Sequence, residues 1–317
     1  MSGAAIMLAG LLIDAAIGWP DRIHRRIGHP VTWAGALIAA LDDWLNLEGT
    51  SERDRRIAGL AAALAVIATA GFAGVILQWL LPDGLVGLIL VGACAWPLIA
   101  ARSLHDHVQA VARPLGASDL ACARQAVAQI VGRDPAQLDE AGVARAAIES
   151  LAENSSDGVI APVFWGVLFG LPGIAAYKAI NTLDSMIGHR TPRHRAFGWA
   201  SARIDDLANL IPARLTGLLL AAASDRPRAA LDCMWRDARL HRSPNAGWPE
   251  AAMAGALGFR LSGPRSYADR VADEPWVNAA APDPAPADIG RALALYRRAL
   301  TGMAAGLAAL ALILWAA

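Results

Sequence analysis

Residues 57–81 form an uncharged, largely aliphatic run of about 25 residues, and residues 84–101 a second of about 18. Each is close to the ~20 residues that carry a helix across a ~30 Å hydrocarbon core. A third such run occupies residues 300–317. Inside hydrocarbon every backbone amide must find its partner within its own segment, so runs of this kind can only be helices. With 56% hydrophobic residues overall, the sequence predicts an all-α, polytopic integral membrane protein rather than a soluble domain of equal length.

Charge orients these runs. Arg53, Arg55 and Arg56 precede the first, Pro82-Asp83-Gly84 turns it into the second, and Arg102 follows, so both basic ends of the hairpin are expected on the cytoplasmic side. Residues 102–150 then lose the long apolar runs and space Leu104, Val108 and Val111 as an amphipathic helix does. Asp134-Pro135 reads as a helix start, with Asp139 and Glu140 in the first turns. This region is expected to be a cytoplasmic helical insertion within a single membrane-embedded domain covering residues 1–317.

Residues 159–180 are apolar again, but Gly170-Leu171-Pro172-Gly173 lies at their midpoint. Gly and Pro break helices. A single crossing here would carry Arg190, Arg193, Arg195 and Arg203 outside against the charge rule, so a re-entrant or broken helix pair is expected. The apolar stretch 207–223 is interrupted by Pro212 and Arg214. An Arg-rich, soluble-looking tract over 224–298 follows, and its Pro/Ala/Asp section, 279–287, reads as a flexible linker into the last helix.

Polar side chains concentrate in 149–214, as ESLAENSSDG, YKAINTLDSMIGHR and SARIDDLANLIPARLT. Unsatisfied polar groups in apolar helices are costly, so such a cluster marks a wet cavity or a site. Arg145, Glu149 and Glu153 share a helix face at i, i+4, i+8, and Asn154-Ser155-Ser156-Asp157-Gly158 reads as a polar turn rich in oxygen ligands. Oxygen donors of this kind suit Mg²⁺, which binds through one or two carboxylates plus substrate phosphates. Lys178, Asn181, Asp184, Ser185 and Gly188 fall on one side of the next helix, with Ile180, Leu183 and Ile187 on the other. Lys178 is the only Lys among 28 basic residues, placed where a point charge for a phosphate is useful. His189, Arg190, Arg193, His194 and Arg195 form a cationic loop suited to a phosphate or an acidic lipid surface. Arg203, Asp205, Asp206 and Asn209 combine opposite charges, as a helix cap, an ion pair or part of a metal site.

Several classes are excluded or disfavoured. The formal net charge is zero, and neither a zinc-finger spacing nor a basic stripe with aromatics is present, which argues against a nucleic-acid partner. Cys94, Cys122 and Cys233 lie far apart, against a disulfide framework or thiolate metal site. P-loop, GxSxG and HExxH motifs do not occur. Residues 1–19 lack a basic start and carry Asp14, so a cleaved signal peptide is not expected.

Three blocks resemble a known family nearly residue for residue. They are Glu149-Ser150-Leu151-Ala152-Glu153-Asn154 with Asp157-Gly158; Tyr177-Lys178 with Asn181-Thr182-Leu183-Asp184-Ser185-Met186; and Phe197-Gly198 with Asp205-Asp206, Asn209 and Pro212-Ala213-Arg214. The similarity extends to His29-Pro30-Val31, Ser243-Pro244-Asn245-Ala246-Gly247 and Ala252-Met253-Ala254-Gly255-Ala256-Leu257. The family is that of the cobalamin-biosynthesis membrane proteins CobD and CbiB, adenosylcobinamide-phosphate synthases. Where it often reads Gly-Asp-Pro near the N-terminus, this chain has Gly18-Trp19-Pro20, so any role of that Asp would have to fall to Asp14 or Asp21 or be absent.

The resemblance implies a carbon–nitrogen ligase of the inner membrane, its site facing the cytoplasm. It would join adenosylcobyric acid to 1-aminopropan-2-ol or its O-phosphate using ATP and Mg²⁺, alongside other membrane enzymes of the corrinoid pathway. Under that reading Asp157, Asp184, Asp205 and Asp206 are candidate Mg²⁺ ligands, and Lys178, Arg190, Arg203 and Arg214 contact phosphates. Glu149 or Glu153 is the base, Asp184 and Lys178 act at the reacting group, and Asn154, Ser155, Asn181, Ser185 and Asn209 bind substrate. The alternative is a membrane transporter or binding protein for a corrinoid or phosphorylated small molecule, which would need a site reachable from both sides.

Overall fold

The computed structural model describes residues 1–132, 134–189, 191–266, 271–272 and 274–316. Among them the chain is helical almost throughout, with only two-residue strands, and divides into two compact units. The first comprises Met1–Ala100, Ala161–Asn209 and Leu307–Ala317, the second Ala101–Ile160 and Leu210–Gly306. Four helical segments are long and apolar enough to cross a membrane, Glu52–Leu80, Gly84–Gly116, Glu140–Ile187 and Pro286–Ala316. The protein is an all-α polytopic membrane protein with a broken helix.

The first unit is built from α1 (Gly3–Ile17), α2 (Asp21–Ile27), α3 (Pro30–Leu45), α4 (Glu52–Leu80), α5 (Gly84–Ala95), α9 (Ala161–Ile187), α10 (His194–Phe197) and α11 (Trp199–Ala208). Ser51 caps α4 by accepting from the Asp54 amide at 3.1 Å, with Glu52 and Asp54 at the positive end of the helix dipole. Outward-facing Phe72 and Trp79 of α4 are 66% and 82% exposed, and Trp315 is 86% exposed. Large side chains this bare belong against lipid. Inward, Ala62, Ala63 and Val66 of α4 pack with Ile38, Ala179, Leu183, Ile187 and Phe197. With no water to expel between lipid-embedded helices, close approach and dispersion supply the cohesion. Gly59 permits it, since a Cβ there would stand 1.8 Å from the Phe197 carbonyl oxygen.

The break expected near Gly170-Pro172 is present. Gly170 leaves the helix at φ 68°, a conformation that costs an L-residue about 1–2 kcal/mol. It frees the Leu171 amide, which donates to Gln78 Oε1 of α4 at 2.8 Å. A polar residue in an apolar span thus satisfies the amide exposed by the break.

The second unit holds α6 (Ala101–Gly116), α7 (Leu120–Val127), α8 (Glu140–Ser155), a π-helical turn at Ser156–Ile160, α12 (Leu210–Ala223), α13 (Pro227–Asp237), α14 (Gly247–Leu257) and the start of α15 (Pro286–Ala316). Leu104, Val108 and Val111 of α6 are buried as their spacing requires. Every residue of α14 is buried. The supposed soluble tract therefore supplies the central helix of this unit, packed on α12, α13 and α8. Short antiparallel pairs, Leu261–Ser262 with Trp276–Val277 and Arg265–Ser266 with Val271–Ala272, follow α14.

Three local expectations are corrected. Residues 154–158 are not a turn, because α8 runs into the π-helical turn without a break. Asp134 starts a turn rather than a helix, accepting from the Ala136 amide at 2.9 Å, while Asp139 caps α8 by accepting from Gly142 at 2.7 Å. Residues 279–287 are not a free linker. Asp283 pairs with both Arg145 and Arg260 at 2.7 Å, and Arg260 N donates to the Pro282 carbonyl at 2.9 Å.

Candidate active site

The polar block of 149–214 is divided between the two units. In the second, α8 turns Glu149 inward, 6% exposed, whereas Glu153 faces out. One helical turn separates these acids, and their surroundings differ completely. Glu149 Oε1 accepts from the Ser262 amide at 2.7 Å, and Ser262 Oγ donates to Glu250 Oε2 at 3.1 Å. His241 Nε2 lies 3.6 Å from the other Glu250 oxygen, and its Nδ1 accepts from the Ser243 amide at 3.1 Å. Ser262 adopts φ 60°, a left-handed geometry held here by buried carboxylates on α8 and α14. Arg145 does not join Glu149; it pairs with Asp283 and sits 4.8 Å over the Trp276 ring.

Other polar side chains of this region are engaged by their own helix. Ser155 Oγ donates to the Leu151 carbonyl at 2.5 Å and is buried. Asn154 faces out, its Nδ2 donating to the Ser150 carbonyl at 2.9 Å. Asp157 is half-buried on the π-helical turn, a geometry often found at functional sites. Arg214, on α12, stacks 4.3 Å over Trp248 while Nη1 donates to the Leu210 carbonyl at 2.6 Å and lies 3.4 Å from Asn245 Oδ1.

In the first unit Lys178 is half-buried on α9 and lines a cavity of about 300 Å³ with Thr182, Leu171 and side chains of α3 and α4. Asn181, Asp184 and Ser185 do not line it, so the shared face divides into separate environments. Ser185 is exposed and donates to the Thr182 carbonyl at 3.0 Å. Asp184 packs over Gly188 and has His189 and Asp206 as electrostatic neighbours.

The adjacent Asp205 and Asp206 of α11 part company. Asp205 turns inward and accepts from Asn209 Nδ2 at 3.0 Å, while Asn209 Oδ1 accepts from the buried Tyr177 hydroxyl at 2.8 Å. Asp206 is half-buried and pairs with the exposed Arg203 at 3.2 Å. Asp206 is also an electrostatic neighbour of Asp184. Among the described residues no three His, Cys, Asp or Glu side chains form a metal-binding cluster. Two carboxylates completed by substrate phosphates remain a chemically sound donor set for Mg²⁺.

The cationic loop is largely neutralised. Arg193 Nε donates to Asp42 at 2.8 Å and its Nη2 to Asp43 at 3.0 Å; His194 lies 3.3 Å from Asp42, and Arg195 pairs with Glu52. Asn46 Nδ2 donates to Asp42 at 2.7 Å and to the Arg193 carbonyl at 3.1 Å, and Arg55 also donates to that carbonyl. Burial raises the Asp42 carboxyl, but hydrogen bonds from Asn46, Arg193 and His194 outweigh it and hold the group below its ordinary value. These contacts anchor the loop to α3 and leave its cations little to offer a phosphate. Arg190 lies outside the described residues.

Sequence reading overlooked Glu250, His241 and Ser262, although a lone acid in the apolar run WPEAAMAGAL gives the same signal that singled out 149–214. Gln78 was equally visible as an amide within an aliphatic span.

Comparison with known proteins accounts for nearly all of the sequence. The profile described as CobD/Cbib protein matches residues 7–296. A cobalamin biosynthesis protein CobD of Rhodobacter capsulatus is 66% identical over 303 residues, 96% of each chain. Proteins of the same name from Sinorhizobium fredii and Brucella suis are each 48% identical, the first covering 97% of this chain and 96% of its own, the second 92% and 91%. No solved structure matches. Matches of this length and identity show that the chain belongs to the CobD/CbiB family.

Proposed function

We propose that this protein, whose family places it in cobalamin biosynthesis, is an ATP-dependent amide synthase joining adenosylcobyric acid to 1-aminopropan-2-ol or its O-phosphate. The observation that carries the reading is the half-buried Asp184, which has His189 and the Asp206 carboxylate as electrostatic neighbours among the motifs shared with the family. Asp206 also pairs with Arg203, and two carboxylates in a partly buried setting can both gain from a divalent cation.

A carboxylate is a poor electrophile. Its oxygen must first attack the γ-phosphorus of ATP, releasing ADP and giving an acyl phosphate. The amine then attacks the acyl carbon, phosphate leaves, and the nitrogen loses a proton to a base. Asp184 and Asp206 would hold Mg²⁺, which supplies charge neutralisation to the transferring phosphoryl group. In the same unit Lys178 and Arg203 would supply further positive charge and Asn181 would orient a substrate amide; the second unit offers Arg214 and Asn154 to substrate by itself. Of the two candidate bases Glu153 suits proton removal better, because it is exposed whereas the Glu149 carboxylate is bound to a main-chain amide. Asp157, in the second unit, offers an oxygen donor to substrate. Asp205 and Asn209 act as positioning residues through Tyr177, and Ser155 and Ser185 serve their own helices.

The site is proposed to face the cytoplasm from the inner membrane, with the break at Gly170 returning the chain to the side on which it entered. Purified protein supplied with adenosylcobyric acid, aminopropanol phosphate, ATP and Mg²⁺ should yield the amide and ADP, followed by mass spectrometry. Folded protein producing neither would overturn the synthase reading. Strong periplasmic labelling of a Cys placed at Arg195 would overturn the orientation.

A further inference from the structure

The cavity beside Lys178 does not have the chemistry of either proposed substrate. It lies between α3, α4, α5 and α9, and its walls are almost wholly aliphatic and aromatic, with Ala34, Leu37, Ala73 and Leu77 prominent. Two hydroxyls reach it, and both are engaged elsewhere. Thr69 Oγ1 donates to the Ala65 carbonyl and Thr182 Oγ1 to the Lys178 carbonyl, each at 2.7 Å. Their methyl groups remain to line the groove. A corrinoid side chain or an amino alcohol phosphate would lose its water here and gain almost no hydrogen bonds.

The groove is open on one side. Trp33, Leu37, Thr69, Ala73 and Leu77 at its edge are exposed. The α4 part of that edge continues into the bare apolar surface formed by Phe72, Ile76 and Trp79. That surface belongs to a 29-residue helix apolar enough to cross a membrane, so the solvent at the mouth of the groove is hydrocarbon.

We propose that this groove is a lipid-binding site, taking one acyl chain of a membrane phospholipid along the wall that carries Lys178. An apolar chain fills the space without desolvating a polar group and restores the dispersion contacts that an unfilled groove forfeits. It also packs on the aliphatic stem of Lys178, leaving the ammonium to reach polar surroundings beyond the groove. The lipid site stands whether or not Lys178 acts on a phosphate. If it does, an occupied groove restricts the rotamers of that side chain and so couples bilayer composition to turnover.

The test uses the full chain reconstituted in nanodiscs of phosphatidylglycerol and phosphatidylethanolamine, doped with phosphatidylethanolamine bearing a diazirine in one acyl chain. After irradiation, adducts are mapped by peptide mass spectrometry. Adducts should concentrate on groove residues of α3, α4 and α9. The double variant Thr69→Trp/Ala73→Trp, or Ala34→Phe from the opposite wall, should reduce them about tenfold, equivalent to ~1.4 kcal/mol of lost affinity. Val75→Trp, on an exposed position of the same helix outside the groove lining, should leave them unchanged. Circular dichroism and gel filtration establish that each variant is folded. Groove adducts no denser than those on the rest of the lipid-facing surface, or indifferent to both filling variants, overturn the proposal. Chain-to-chain crosslinks that exclude lipid adducts from the groove would also overturn it by assigning the groove to a second copy.

Discussion

Glu149 on α8 in the second unit and Asp184 on α9 in the first are both carboxylates within the polar block, and their surroundings differ. Glu149 is buried against a main-chain amide and belongs to a network completed by Ser262, Glu250 and His241. Asp184 has a second carboxylate, Asp206, and a histidine as its electrostatic neighbours. A buried acid bound to a fixed backbone donor stabilises a loop. An acid set beside a histidine and a second, Arg203-paired carboxylate lies in a mixed-charge setting of the kind expected of a binding site. Among the cations of the first unit, Arg193 and Arg195 pair with acids of α3 and α4, and Lys178 lines a cavity.

The most severe test of this contrast is chemical. Lys178→Ala and Asp184→Asn should each lower turnover at least ~10²-fold, the scale of losing one preorganised contact to developing charge, with thermal stability little changed. Turnover at the parent rate in both would place the first unit's polar groups with those of the second. Glu149→Ala should leave the Ser262 amide without its acceptor and cost about 1–3 kcal/mol, read as a lower thermal midpoint. Glu149→Gln keeps an acceptor and should retain most activity. A folded Glu149→Gln protein without activity would show that Glu149, not Glu153, is the base. Gly170→Ala forces a Cβ into a left-handed conformation and against Gln78, for about 1–2 kcal/mol of destabilisation.

The Asp42 clamp gives a smaller, pH-dependent effect. Its carboxyl is held below the ordinary value of 3.8, so its contribution is fully present above that pH and is lost as pH falls through the lowered folded value. Asp42→Asn should therefore cost about 1 kcal/mol at pH 7, because Arg193 is partly screened by solvent. The difference from the parent should disappear in strong acid when both are followed by thermal melting. The smallest effect concerns the second unit alone. Burial, reinforced by the Asp237 carboxylate, pushes the Cys233 thiol up to about 12, so maleimide at pH 8 should label the exposed Cys122 and spare Cys233 until the protein unfolds.

Much of the fold was legible because local pattern suffices for it. Uncharged length defines a span, Gly170 beside Pro172 defines a break, and the spacing of Leu104, Val108 and Val111 defines a buried helical stripe. Residues 154–158 misled because Asn, Ser, Asp and Gly favour turns in isolation, whereas here they continue a helix through a π-helical turn. The section 279–287 misled because composition cannot show that Asp283 has two arginine partners.

The candidate site was legible as a list and not as a partition. Helical spacing placed Glu149 with Glu153 and Lys178 with Asp184, yet burial separates the first pair and the cavity wall separates the second. The sequence alone determined that this chain is a helical membrane protein of a particular family, where its polar residues concentrate, and where one helix breaks. Those properties depend on runs, spacings and motifs a few residues long. Only the tertiary structure decided that Glu149 meets a main-chain amide and Asp42 an arginine, because the deciding donors are remote. Ser262 lies 113 residues from Glu149, and Arg193 lies 151 residues from Asp42. A hydrogen bond formed across such a separation leaves no period in the sequence, and the worth of each charge rests on it.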